Sequence, residues 1–214
     1  TVGAELVEDV EPFELMKLRM LNGSHSTMAY LGYLSGYQYV NEAIADAGIH
    51  KLIHGLMTEE AMPTLPMSRT TLEAYRDKLL ARFANPALKH RTWQIAMDGT
   101  QKLPQRLLGT ISDRLKATQP FPRLALGVAA WMRYVTGIDE AGQPIEVKDP
   151  LAAKLRAIAD GAGRDPVQLA NGLLAVTEVF GADLPQVAVF RDTVTNHLKS
   201  LLENGAKEAV RRLS

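Results

Sequence analysis

An all-α fold is predicted for this chain by two features of its sequence. Apolar residues recur at three- and four-residue spacing along nearly the whole length, and no segment sustains the alternation with β-branched enrichment that marks a half-buried strand. With 214 residues, 46% of them hydrophobic and 22% charged, the chain is long enough to bury one large core, and no linker divides it. We therefore expect a single multi-helical array over residues 1–214.

Local start and stop signals place the elements. Pro12 suits the first turn of a helix running to about residue 22, and Gly23-Ser24 reads as a break before a second stretch over 25–34. Gly36 and Gly48 punctuate a helix over 38–47, and another over 51–61 is closed by Pro63 and Pro66. Thr70-Thr71 introduces an amphipathic helix over 72–83, ended by Asn85-Pro86. Further helices are expected over 89–97, 101–117, 123–136, 150–162, 166–174 and 185–202, with a tail helix over 206–213. Residues 139–149 read as the one loop-like insertion.

Composition excludes several classes of function. The 24 Lys+Arg balance 24 Asp+Glu, so the chain lacks the basic surface that sequence-independent phosphate binding needs, and nucleic acid is not an expected partner. Cysteine is absent, which rules out disulfides, thiolate nucleophiles and Cys-based metal sites and points to a reducing, cytoplasmic compartment. No apolar run reaches the roughly 18 to 20 residues of a bilayer span, so no membrane contact is expected. The opening TVGAELVEDVEP is acidic where a signal peptide is basic and lacks an initiator Met, which reads as a processed or excised piece. His50 and His54 are four apart but have no evident third ligand, so no metal is expected. His90 and His197 have no partner that the sequence identifies. Tyr30, Tyr33, Tyr37 and Tyr39 form a stripe that suits a core or an interface.

The informative segment is EPFELMKLRMLNGSHS, residues 11–26. At about 100° per residue, Phe13, Leu15, Met16, Leu18, Met20 and Leu21 surround the whole circumference, so this helix is expected to be buried. Lys17, Asn22 and His25 share one side of it. A buried lysine without a partner is costly. Either that side has a polar task, or Lys17 pairs with Glu14 as an ordinary i,i+3 surface couple; spacing leaves both open. A second segment, NPALKHRTWQIAMDGTQKLPQR, spans residues 85–106. Asp98 or Thr100 is positioned to cap a helix from about Gln101, which sets Lys102 and Arg106 near free N–H groups suited to a carboxylate or several hydroxyls. A solvated basic turn is the other reading.

These two blocks resemble the mannitol dehydrogenase family of polyol-specific long-chain dehydrogenases, whose K-x4-N-x2-H pattern is matched by Lys17, Asn22 and His25. The similarity runs from about Val7 to the C-terminus. It implies an all-helical C-terminal substrate domain, similar to that of 6-phosphogluconate dehydrogenase, in an enzyme that moves a hydride at a secondary alcohol with NAD. It implies Lys17 as general base, Asn22 as stabiliser of the developing oxyanion, His25 as orienting donor, and Glu14 as a proton relay. Lys102, Arg106 and Gln94 are implied as substrate-binding residues. The partners implied are a small sugar acid or polyol and the enzyme's own N-terminal Rossmann domain, which would hold most of the NAD. No G-x-G-x-x-G follows a predicted strand in this chain, and Gly161-Ala162-Gly163 reads as a helix end. The mannitol-specific branch carries Arg where this chain has Gln94, so the branch that interconverts D-mannonate and D-fructuronate is the closer one. A hexitol dehydrogenase and a non-catalytic helical interaction module are the alternatives.

Overall fold

The computed structural model describes residues 10–213. Within them every regular element is a helix, and extended pairing is limited to two isolated bridges, Tyr39 with Arg91 and Ile138 with Pro144. The chain runs α1 (Glu11–Met16), a π-helical stretch (Lys17–Asn22), α2 (Gly23–Leu34), α3 (Val40–Ala45), α4 (Ala47–Gly55), a second π-helical stretch (Leu56–Ala61) and α5 (Arg69–Phe83). It continues with α6 (Thr92–Ala96), α7 (Gly99–Leu103), a third π-helical stretch (Pro104–Leu108), α8 (Gly109–Lys116) and α9 (Pro122–Tyr134). The remainder is α10 (Ala152–Ala162), α11 (Pro166–Leu174), α12 (Thr177–Phe180) and α13 (Ala188–Leu213), which bends at Gly205, where φ is +79°.

Several expected boundaries move, each for a physical reason. No break occurs at Gly23, which lies inside a continuous helical path from Glu11 to Leu34 with φ −62°. Gly48 is likewise helical. The break falls at Asp46, whose extended backbone and Oδ1, accepting from the N–H groups of Gly48 and Ile49, start α4. Ser68, not Thr70-Thr71, caps α5. The helix expected over 89–97 shrinks to α6, because Lys89 is left-handed (φ +41°) and the chain from His90 to Thr92 pairs with residues 38–40. The short α12 was not anticipated, whereas α11 has the expected bounds.

The core is organised on α9. From Leu124 to Met132 every residue is buried, and the helix packs against α2 and α13. A helix N-terminus inside a core leaves N–H groups without water. Glu60, 1% exposed, accepts from the N–H groups of Arg123 and Leu124 at 2.9 Å each and from the Arg123 guanidinium at 3.3 Å. Burial pushes the Glu60 carboxyl above its usual range, while these donors pull it back. The carboxylate arrives from the second π-stretch, some sixty residues earlier in the chain.

Removing this carboxylate should be severe. Glu60→Ala leaves two buried N–H groups unsatisfied, with the Arg123 guanidinium still held by Glu59, and it should cost on the order of 2–4 kcal/mol in urea denaturation. A cost within 0.5 kcal/mol of zero would show that water replaces the cap.

Candidate active site

The first block is built on the π-stretch. Gly23 N–H donates to the carbonyl of Leu18, five residues back, so each turn holds an extra residue and the α-helical projection no longer applies. Lys17 and Glu14 are both exposed, and among the described residues no ion pair joins them. The expectation of a helix buried all round, with Lys17 desolvated inside it, is therefore corrected. The buried cation is Arg19, 9% exposed, which donates to Asp113 at 2.7 Å and to the Thr64 carbonyl at 3.1 Å. Asn22 and His25 are half-buried, and no hydrogen bond joins either to Lys17.

The second block is one helical path, α7 to α8, with its π-stretch at Pro104. Proline has no N–H, and its ring crowds the carbonyl four residues back. The chain accommodates it by widening the turn, and Gly109 N–H reaches back to the Pro104 carbonyl. At the start of α7 neither Asp98 nor Thr100 supplies the side-chain cap. Asp98 is left-handed (φ +55°) and makes no such bond, and the cap comes from Asp149, which accepts from Thr100 N–H at 2.8 Å and from Thr100 Oγ1 at 2.6 Å. Gly99 is required here, because a Cβ would lie 2.4 Å from Trp131 Nε1. The free N–H cradle expected beside Lys102 is thus already occupied. Lys102 Nζ donates to the Met97 carbonyl at 2.6 Å and lies 3.7 Å from Asp98, and burial, followed by the neighbouring Arg106, lowers its pKa. Gln94 is exposed on α6.

The two π-stretches meet backbone to backbone. A Cβ on Gly23 would stand 2.9 Å from the Arg106 carbonyl oxygen. This approach lays Arg106 over α2, where Nη1 donates to Ser26 Oγ at 3.1 Å. Next to it, the His25 ring lies against Phe83 at 4.7 Å between centroids and meets the edge of His90 at 5.8 Å. His25 Nε2 and Arg106 Nε are buried with no hydrogen-bond partner. Burial first, then the electrostatic effect of His90, Arg106 and Arg82, lowers the His25 pKa to about 4, so the ring is uncharged at neutral pH. An uncharged imidazole carries one donor and one acceptor, which suits it to orienting a substrate hydroxyl or carbonyl.

Sequence reasoning missed Arg19, Asp149 and the neighbours of His25. Nothing local announces Asp149 as a cap at residue 100, whereas His90 lies inside the second block and needed only the fold to reach His25. His50 and His54 join no cluster able to hold a metal among the described residues. Tyr30 and Tyr33 meet Tyr134 in tilted and edge-to-face contacts, as a core stripe does. Three surface concavities of about 550, 460 and 730 Å³ have no lining from Lys17, Asn22 or His25. The described residues offer no strand–turn–helix for a dinucleotide, and Gly163 (φ +59°) simply ends α10, so this set of residues does not fit the pyrophosphate of NAD. No described helix is long and apolar enough to cross a membrane.

Comparison with known proteins identifies the family of this all-helical chain. Residues 9–202 match the mannitol dehydrogenase C-terminal domain, and the chain belongs to the mannitol dehydrogenase family. It is 50% identical over 214 residues to the D-mannonate oxidoreductase of Escherichia coli K12, covering 99% of this chain and 43% of that protein. It is also 50% identical over 212 residues to YdfI, an uncharacterised oxidoreductase of the same organism, with 99% and 43% covered. Among solved structures, the mannitol 2-dehydrogenase of Pseudomonas fluorescens, in a ternary complex with NAD and D-mannitol, superposes with a TM-score of 0.91 at 32% identity, covering 99% of this chain and 42% of that one. The chain thus spans less than half the length of these relatives.

Two outcomes follow from the geometry. On propensity alone Gly23→Ala should stabilise a helix by up to about 1 kcal/mol, but contact with the Arg106 carbonyl should reverse the sign and cost about 1–3 kcal/mol; a variant more stable than wild type in urea would show that the approach is soft. For His25, the unfolded chain takes up a proton near pH 6.5 and the folded chain only near pH 4, so its stabilising contribution is complete above that window and is lost as pH falls through it. The melting temperature should therefore drop more between pH 7 and 4.5 in wild type than in His25→Asn. Equal drops would contradict a buried, neutral His25.

Proposed function

We propose that this chain is the substrate-binding and catalytic half of an NAD-dependent oxidoreductase that interconverts D-mannonate and D-fructuronate. The observation that carries the reading is the juxtaposition of the Lys17-to-His25 segment with Arg106, a half-buried guanidinium with no acidic partner. In this reading Lys17 takes the hydroxyl proton as the carbinol is oxidised and returns it on reduction. Asn22 donates to the developing alkoxide without competing for its proton. His25 orients the adjacent oxygen, and Glu14 passes the proton on to solvent. Lys102, with two ammonium hydrogens not engaged by Met97, together with Arg106 and Gln94, holds the remainder of the substrate. NAD supplies the hydride acceptor and is bound by a Rossmann portion outside this chain. Lys17 is exposed here, so closing that portion over it is what would exclude water from the base. The enzyme is read as cytoplasmic.

A second reading, a mannitol 2-dehydrogenase, is supported by the likeness to the Pseudomonas fluorescens structure. The complete enzyme tests both. Lys17→Ala should lower kcat by at least about a hundredfold while leaving NAD affinity unchanged. Near-normal turnover in that variant would remove Lys17 from the mechanism. A wild-type kcat/KM that favours mannitol over mannonate would replace the sugar-acid reading with the hexitol one.

A further inference from the structure

The buried and half-buried arginines Arg19, Arg114, Arg123 and Arg133 each bond a carboxylate or a carbonyl, and Arg106 departs from that pattern. Arg19 bonds Asp113 and the Thr64 carbonyl; Arg114 bonds the Pro120 carbonyl twice; Arg123 bonds Glu59 and Glu60; Arg133 bonds the carbonyls of Ile138 and Asp139. Arg106 alone among these has no carboxylate or carbonyl, only the neutral Ser26 hydroxyl; its Nε is buried without a partner, as are those of Arg123 and Arg133, but theirs belong to guanidiniums bonded elsewhere to oxygen acceptors of the fold. Buried charge is normally paired. The groups around it deepen the imbalance, since the titratable side chains that bear on His25 are His90, Arg106 and Arg82, with no acid among them.

His90 is also fixed with unusual firmness for a loop residue. Its carbonyl accepts from Val40 N–H at 2.9 Å, Thr92 N–H reaches the Gln38 carbonyl at 2.9 Å, and Thr92 Oγ1 reaches that of Tyr37 at 2.9 Å. The preceding Lys89 adopts a left-handed conformation, which is uncommon outside glycine and aspartate-like residues. His90 is thereby held edge-on to His25, half-buried, with no hydrogen bond to its ring. A donor held in place with its hydrogen unused is a preorganised binding group.

Resting on the oxidoreductase reading above, we propose that His90 is a specificity residue which, with Arg106, receives the carboxylate of an acidic sugar substrate across the His25 ring. A neutral imidazole still donates one N–H, so the role needs no second fixed charge. A hexitol offers a hydroxyl at that end and gains far less from the uncompensated guanidinium.

Two variants of the complete enzyme separate donation from packing. His90→Phe keeps a ring against His25 but has no N–H, and His90→Asn keeps a donor but no ring. His90→Phe should lose tenfold or more in kcat/KM on D-mannonate, chiefly through KM, and less than about threefold on D-mannitol, while His90→Asn retains more of the mannonate activity than His90→Phe. The reverse ranking, or equal losses on both substrates, overturns the proposal and leaves His90 as packing. A wild type that turns over mannitol in preference to mannonate overturns the anion assignment but not the dehydrogenase reading. A wild type that oxidises neither with NAD overturns that reading itself.

Discussion

The site depends on one backbone contact, that of Gly23 with the Arg106 carbonyl. At 2.9 Å from a notional Cβ, no other residue type fits without displacing main chain. Two widened turns make the approach feasible, one after Lys17 and one forced by Pro104. Together they bring segments more than eighty residues apart into register, so that Arg106 lies on Ser26 and beside His25. Asn22 and His25 are read as functional groups from their chemistry, but Gly23 between them sets where Arg106 stands.

Around that contact the helices are stabilised by carboxylates brought from far along the chain. Glu60 caps α9, Asp149 caps α7, and Glu140 accepts from Ala206 N–H just past the bend at Gly205. Each satisfies N–H groups that a single-helix reading assigns to a neighbour in sequence. The loop 139–149 is therefore structural at both ends. Glu140 ties it to the last helical segment, and Lys148 and Asp149 bind Asp98 and Thr100 at the substrate block.

What was legible in the sequence follows from this division. The helical class and most helices were readable because apolar spacing is local, and α11 matches its expected bounds because Asp165-Pro166 is a complete local start signal. The two site blocks were readable as strings of residues. The burial of Arg19, the cap from Asp149 and the pairing of His25 with His90 were not, because each is decided by a partner forty or more residues away, and the exposure of Lys17 follows a widened turn that α-helical spacing does not reveal. Gly23 shows the limit well. Locally a glycine before serine is a helix breaker, whereas in the fold it is the residue that allows two helical segments to touch.

The electrostatic pattern ties fold to chemistry. Net charge is zero for the chain as a whole, and the interior reproduces that balance almost residue by residue, guanidinium against carboxylate or carbonyl. A fold that gives Arg19, Arg114, Arg123 and Arg133 each a carboxylate or carbonyl, even where the Nε of Arg123 and Arg133 is left unbonded, has the means to do the same for Arg106. Instead, burial lowers the pKa of Arg106, its one side-chain hydrogen bond is to the Ser26 hydroxyl, and the neighbouring Lys102 adds a second positive charge. That cost is sensible only where a ligand offsets it. The direction of the imbalance then specifies the ligand. On the reading proposed for this site, surplus positive potential and unused donors would discriminate in favour of an anion, because a neutral polyol leaves the guanidinium as unpaired as it found it.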